Sequence, residues 1–132
     1  TIDAASIRAI KKFAESLKAG AGGLVDCNDD PPEALHLAMQ DAIRMQWRSE
    51  SEERVIIVIS DQPPYPIQVD RTLRLSRQFV QQHRGRVSIV HVIQPHTTLS
   101  DRRILEQIAR AGNGEYIEGG ASFIGSVLLA VR

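Results

Sequence analysis

Val55, Ile56, Ile57, Val58 and Ile59 form an unbroken run of β-branched apolar residues, flanked by Arg54 and by Ser60-Asp61-Gln62-Pro63-Pro64. A strand with one wet face would alternate polar and apolar side chains. This run instead asks for cover on both faces, the habit of a central parallel strand in an α/β sheet. It stops at Ser60-Asp61, before two prolines that can neither donate to a sheet ladder nor continue a helix. Asp61 thus falls at the carboxyl end of a buried parallel strand, where open α/β sheets place their ligands. The plainer alternative is that its carboxylate caps the turn, as Asp commonly does. Position favours the functional reading.

The segments before this run read as two helices and a loop. Ile7, Ile10, Phe13, Ala14 and Leu17 recur at spacings of three and four, predicting an amphipathic helix over residues 2–19 with Lys11, Lys12, Glu15 and Lys18 on its wet side. Asp3 or Ser6 would cap its start, and Gly20 would stop it. Residues 20–32 are rich in turn formers and carry Asp26, Asn28, Asp29 and Asp30. Clustered acids beside Asn suit a hard cation, although the spacing is not that of an EF-hand loop. Asp29 and Asp30 also precede a helix whose first turn holds Pro, where negative charge is welcome. Capping is the preferred role for Asp29, while Asp30 stays open between the two. The helix itself is predicted over 32–48, with Leu35, Ala38, Met39, Ala42 and Met45 or Gln46 on one stripe and Trp47 at its end. Met39 and Met45 read as core filler, and His36 as a boundary residue rather than a metal ligand.

After Pro66, Leu73, Leu75, Phe79 and Val80 mark a third helix, ended by Arg84-Gly85. Residues 87–93 form a second β-branched strand containing His91, and Pro95 stops it. Ser100 is a good cap for a helix over 101–111 with Ile104, Leu105 and Ile108 on its core side. Gly112-Asn113-Gly114 turns into a short strand at 115–118, and a last apolar helix covers 123–131. Strands alternating with helices predict an α/β fold of three layers, a mainly parallel sheet with helices on both faces.

Composition narrows the functions open to such a fold. The 132 residues suit one domain, and sixteen basic against sixteen acidic residues leave no global field for nucleic acid or an anionic membrane. The single cysteine, Cys27, has no partner for an internal disulfide and no cluster for zinc. No apolar run approaches the roughly 20 residues of a membrane span, so no membrane insertion is expected. Gly119-Gly120-Ala121-Ser122 opens a helix after a strand and could seat a phosphate, although the dinucleotide fingerprint and the Walker lysine are both absent. That feature supports an alternative reading as a flavodoxin-like nucleotide- or phosphate-binding domain. Another is an assembly scaffold in a larger polypeptide, with self-association.

Asn28-Asp29-Asp30-Pro31-Pro32-Glu33-Ala34-Leu35, a helix ending at Trp47, and then Val55 to Pro64 resemble the von Willebrand factor A (VWA) domain family, in particular bacterial members. Ile104-Leu105-Glu106-Gln107-Ile108-Ala109 and Gly112-Asn113-Gly114-Glu115-Tyr116 are similar to that family's closing helix and strand. The resemblance covers nearly the whole chain. It implies a non-catalytic protein-interaction module with a divalent cation, Mg²⁺ or Mn²⁺, in a metal-ion-dependent adhesion site at the top of the sheet. Carried over, Asp61 matches the ligand after the fourth strand and Asp30 the middle-loop ligand. Asp29, Gln62, Pro63, Pro64 and Tyr65 form the expected binding face for a protein partner. The family's DxSxS motif is missing, which makes the chain, residues 1–132, look like a single partial domain starting after the first three strands and implies a weak cation site.

Overall fold

The computed structural model describes residues 3–16, 34–49, 53–119 and 123–130. Strands β1 (Val55–Ser60), β2 (Arg86–Val92) and β3 (Asn113–Gly119) form one parallel sheet in the order β1-β2-β3. Among the described residues five α-helices accompany them: α1 (Ala4–Ser16), α2 (Leu35–Arg44), α3 (Val69–His83), α4 (Leu99–Ala111) and α5 (Phe123–Ala130). None of these helices is long and apolar enough to cross a membrane. The expected α/β architecture is present.

Helix α3 carries the chain from β1 to β2, and α4 from β2 to β3. Consecutive crossovers of one hand place both helices on the same face, and α2 packs beside α3. Ile56 and Val58 of β1, Val87 and Ile89 of β2 and Tyr116 of β3 join one core with Leu35, Met39, Leu75, Phe79, Leu105 and Ile108. Alternate residues point the other way. There Val90 is buried, together with Val127 and Ala130 of α5, outside that core cluster. Helix α5 lies against β2 and β3, so helices cover both faces of the sheet.

The position of β1 departs from expectation. Among the described residues it is an edge strand, and β2 holds the centre. Ile59 is 41% exposed, because α5 covers the lower face of β2 and β3 rather than that of β1. The all-apolar run thus marks a parallel strand, and among the described residues it has a neighbour on one side only.

Local chemistry shifts several boundaries. Helix α2 ends at Arg44 because Met45 turns to an extended ψ of 155°. Trp47 then folds back, donating its indole N–H to the Ala42 carbonyl at 3.0 Å and packing its ring 4.9 Å from that of Phe79. Ile43 takes the core position and Met45 is 66% exposed, so only Met39 is core filler. His36, expected at the boundary, is buried. Arg54 binds the end of this connection, donating to the carbonyls of Arg48 and Ser49, and at 2.7 Å to that of His83, the last residue of α3. A cation there also meets the negative end of the helix dipole. At α1, Asp3 caps by accepting from the Ser6 amide at 2.7 Å.

At α4 the cap is Thr98 rather than Ser100. The Thr98 hydroxyl accepts from the Asp101 amide at 3.1 Å, and the Asp101 carboxylate accepts from the Thr98 amide at 2.9 Å. Only a residue three before the acid closes this reciprocal box. Strand β3 is longer than expected and enters with an irregularity, since Val87 pairs with Asn113 but Ile89 with Tyr116. The Ser88 hydroxyl accepts the Glu115 amide at 3.1 Å across the gap.

Candidate functional site

The carboxyl ends of the strands bring together three loops. The Ser60 hydroxyl donates to the Gln62 carbonyl at 2.7 Å and faces the Gln62 amide at 3.2 Å, closing the turn after β1. Ser60 thus does the capping that Asp61 could have done. Among the described residues the half-buried Asp61 carboxylate takes no hydrogen bond and no ion pair. A free carboxylate at the end of a parallel strand can accept from a ligand or meet a cation.

The rest of the loop is built to hold Asp61 still. Gln62 is 9% exposed and hydrogen-bonds through Nε2 to His96 Nε2, tying the loop after β1 to the loop after β2. Pro63 and Pro64 are buried beneath it, and Tyr65 is half-buried. Gln62, Pro63 and Pro64 therefore support the rim rather than form its outer surface. What projects from the same end of the molecule is Ile67, in the turn Pro66–Gln68, at 87% exposure, and Leu99, the first residue of α4, at 63%. His96 is exposed beside them. Sequence reasoning missed Ile67 and Leu99. Each stands in a segment without apolar periodicity, where a lone hydrophobic residue carries no signal of exposure.

Below the rim runs a chain of polar groups. His91 Nδ1 lies 2.7 Å from the Tyr116 hydroxyl, which donates to Glu118 Oε1 at 3.3 Å. Glu118 in turn pairs with Arg102 at 3.3 Å. His91 is fully buried, and its Nε2 has no hydrogen-bond partner. Burial pushes its pKa below the ordinary imidazole value, against a smaller opposing pull from the Asp61 backbone and Glu118. Burial and the neighbouring Glu118 push the Tyr116 phenol up to about 12.

Asp29 and Asp30 lie outside the described residues, as do Cys27 and Gly120-Ala121-Ser122; Gly119 ends β3. Among the described residues, no group of three or more His, Cys, Asp or Glu side chains converges on one point. Asp61 alone supplies one carboxylate where Mg²⁺ asks for about six oxygens. Any cation held there draws its other ligands from elsewhere.

No protein-family model matches the chain, and no curated protein does. Among solved structures it is similar to the crystal structure of an aerotolerance-related membrane protein from Bacteroides fragilis carrying multiple mutations to serines, at 17% identity and a TM-score of 0.61. The likeness covers 92% of this chain and 66% of that one. At such identity the likeness concerns the fold alone. It supports the VWA-like α/β fold that the sequence resemblance implied.

Proposed function

We propose that the chain is a non-catalytic, VWA-like interaction module that docks a protein partner on the carboxyl end of its sheet. The carrying observation is the Asp61 carboxylate, unpaired among the described residues, at the same end of the sheet as Ile67 and Leu99, two large exposed apolar side chains. Exposed apolar residues around a fixed polar group make a docking surface, since burying each contributes roughly 1.5–3 kcal/mol. A divalent cation, Mg²⁺ or Mn²⁺, belongs to this proposal as a bridge from Asp61 and Asp30 to a carboxylate of the partner. With so few ligands from this chain it binds weakly until the partner arrives.

Two measurements test the reading. Thermal melts in EDTA and in millimolar Mg²⁺, Mn²⁺ or Ca²⁺ are run on the parent and on Asp61→Ala. A ligand that binds only the folded state raises the melting temperature. The expected result is a small rise in the parent that vanishes in the variant; no rise in either removes the cation from the proposal. For the face itself, a photo-reactive residue replacing Ile67 should crosslink one protein in the source cell, and the adduct should disappear with Asp61→Ala. An adduct equally abundant in the variant sinks the role given to Asp61.

A further inference from the structure

A second surface lies on the outer side of the helical layer, away from the Asp61 rim. Leu73 and Arg77 of α3 and Gln107, Arg110 and Ala111 of α4 line a groove of about 270 Å³. Its lining combines half-buried, apolar Leu73 and Ala111 with exposed Arg77, Gln107 and Arg110. The chain as a whole is neutral, yet α3 carries three arginines against one acid and α4 three against two. Arg103, Gln107 and Arg110 stand at i, i+4 and i+7 on one stripe of α4, and Arg74 stands one turn before Arg77 on α3.

The arginines are available. Arg77, Arg74 and Arg103 have no ion pair or hydrogen-bonded side chain among the described residues. Arg110 pairs only with Glu106 of its own helix, at 3.2 Å and with 78% of its side chain exposed. An exposed pair of that spacing is worth about 0.3–0.5 kcal/mol, so an incoming carboxylate displaces it readily. Guanidinium groups present forked donors that match carboxylates two bonds at a time.

We propose that the groove between α3 and α4 binds an acidic peptide segment of a protein, seating one apolar side chain on Leu73 and Ala111 and flanking carboxylates on Arg77 and Arg110. The apolar Leu73 and Ala111 beside the arginines favour a peptide over a bilayer surface. An acidic-apolar-acidic sequence matches that order of arginine, apolar side chain and arginine, whereas a bilayer surface offers its headgroups to the arginines and nothing to Leu73 and Ala111.

The test uses the whole chain and a fluorescent peptide of alternating Glu and Leu, followed by anisotropy at low and physiological salt. Binding should weaken about tenfold in the Arg77→Gln, Arg110→Gln double variant, two exposed charge contacts having been removed. It should weaken partly in Arg77→Gln alone, and stay unchanged in Arg44→Gln on α2. Replacing Glu by Gln in the peptide should abolish binding. Both altered arginines are exposed, so melting temperatures should match the parent's. Equal affinity of parent and double variant for the peptide would overturn the proposal. So would a parent that binds phosphatidylglycerol vesicles but not the peptide.

Discussion

The imidazole of His91 on the central strand and the phenol of Tyr116 on its neighbour meet at 2.7 Å, with ring centroids 5.9 Å apart. The phenol also faces Glu118. A hydroxyl both donates and accepts, so it serves the imidazole in either neutral tautomer. The ring is fully buried, and its Nε2 meets no hydrogen-bond partner among the described residues. A second proton would place a charge where water cannot reach it.

Acid should therefore weaken the fold through His91. Its pKa lies below the ordinary imidazole value of 6.5, from burial, and His36 is shifted the same way by burial and by Arg71. The unfolded chain then takes these protons at a higher pH than the folded one does. Stability is intact above about pH 6.5 and falls as pH drops below it, by at most about 1.4 kcal/mol per pH unit for each proton. Urea unfolding at steps between about pH 7 and pH 5 should show a shallower loss in His91→Leu than in the parent. An identical slope in both would show that this ring is not the sensor.

Alkali should act on the partner. With its pKa raised to about 12, Tyr116 ionises later in the folded chain than in the unfolded one, where a phenol ionises near 10. Stability is complete below pH 10 and declines as pH rises from there. Tyrosinate absorbance should include a step well above pH 10, which Tyr116→Phe should remove. Loss of no step above pH 10 on that substitution would contradict the burial of the Tyr116 phenol beside Glu118.

The sequence displayed the elements better than their company. Five β-branched residues announced a parallel strand, and the prolines after it placed Asp61 at its carboxyl end. Nothing in that run says how many strands flank it, and β1 lies at the edge of the described sheet. Asp61 was legible by position, but its freedom depends on Ser60 closing the turn, a choice between neighbouring side chains that spacing cannot settle. The links Gln62–His96 and His91–Tyr116 join residues 34 and 25 positions apart. They follow from strand register, which emerges only once the sheet is assembled. Thr98 is legible in principle, since its box with Asp101 is a sequence pattern, although Ser100 stands nearer the apolar stripe.

Helix α3 ends on a residue whose replacement should stabilise the chain. Arg84 adopts the left-handed conformation, with φ 51° and ψ 35°, and its amide bonds back to the Phe79 carbonyl. That geometry suits glycine at a helix C-terminus. A residue with a Cβ is strained there by roughly 1–2 kcal/mol, part of which glycine's looser unfolded state would offset. Its side chain is exposed and makes no hydrogen bond or ion pair among the described residues. Arg84→Gly should add about 0.5–1 kcal/mol, read as a rise of a few degrees in the thermal melt. A fall in melting temperature would mean that the guanidinium contributes more than the backbone loses.

Gly114 tests the sheet from the opposite direction. It sits at the irregularity where β3 enters beside β2, and a Cβ there would strike the carbonyl of Val87, a backbone atom that cannot turn aside. Gly119, at the far end of the same strand, would bring a Cβ to 3.3 Å from the His91 carbonyl, a tight contact that a small backbone shift relieves. Gly114→Ala should therefore cost roughly 2–3 kcal/mol, and Gly119→Ala under about 1 kcal/mol. The difference should appear in denaturant midpoints at unchanged slope. It should also appear in hydrogen exchange, with the amides of Val87 and Glu115 losing protection first in the Gly114 variant, because both bonds cross that gap. Equal costs at the two sites would mean that the ladder yields at its entry as easily as at its end, and that the close approach of Gly114 to Val87 does not fix the register.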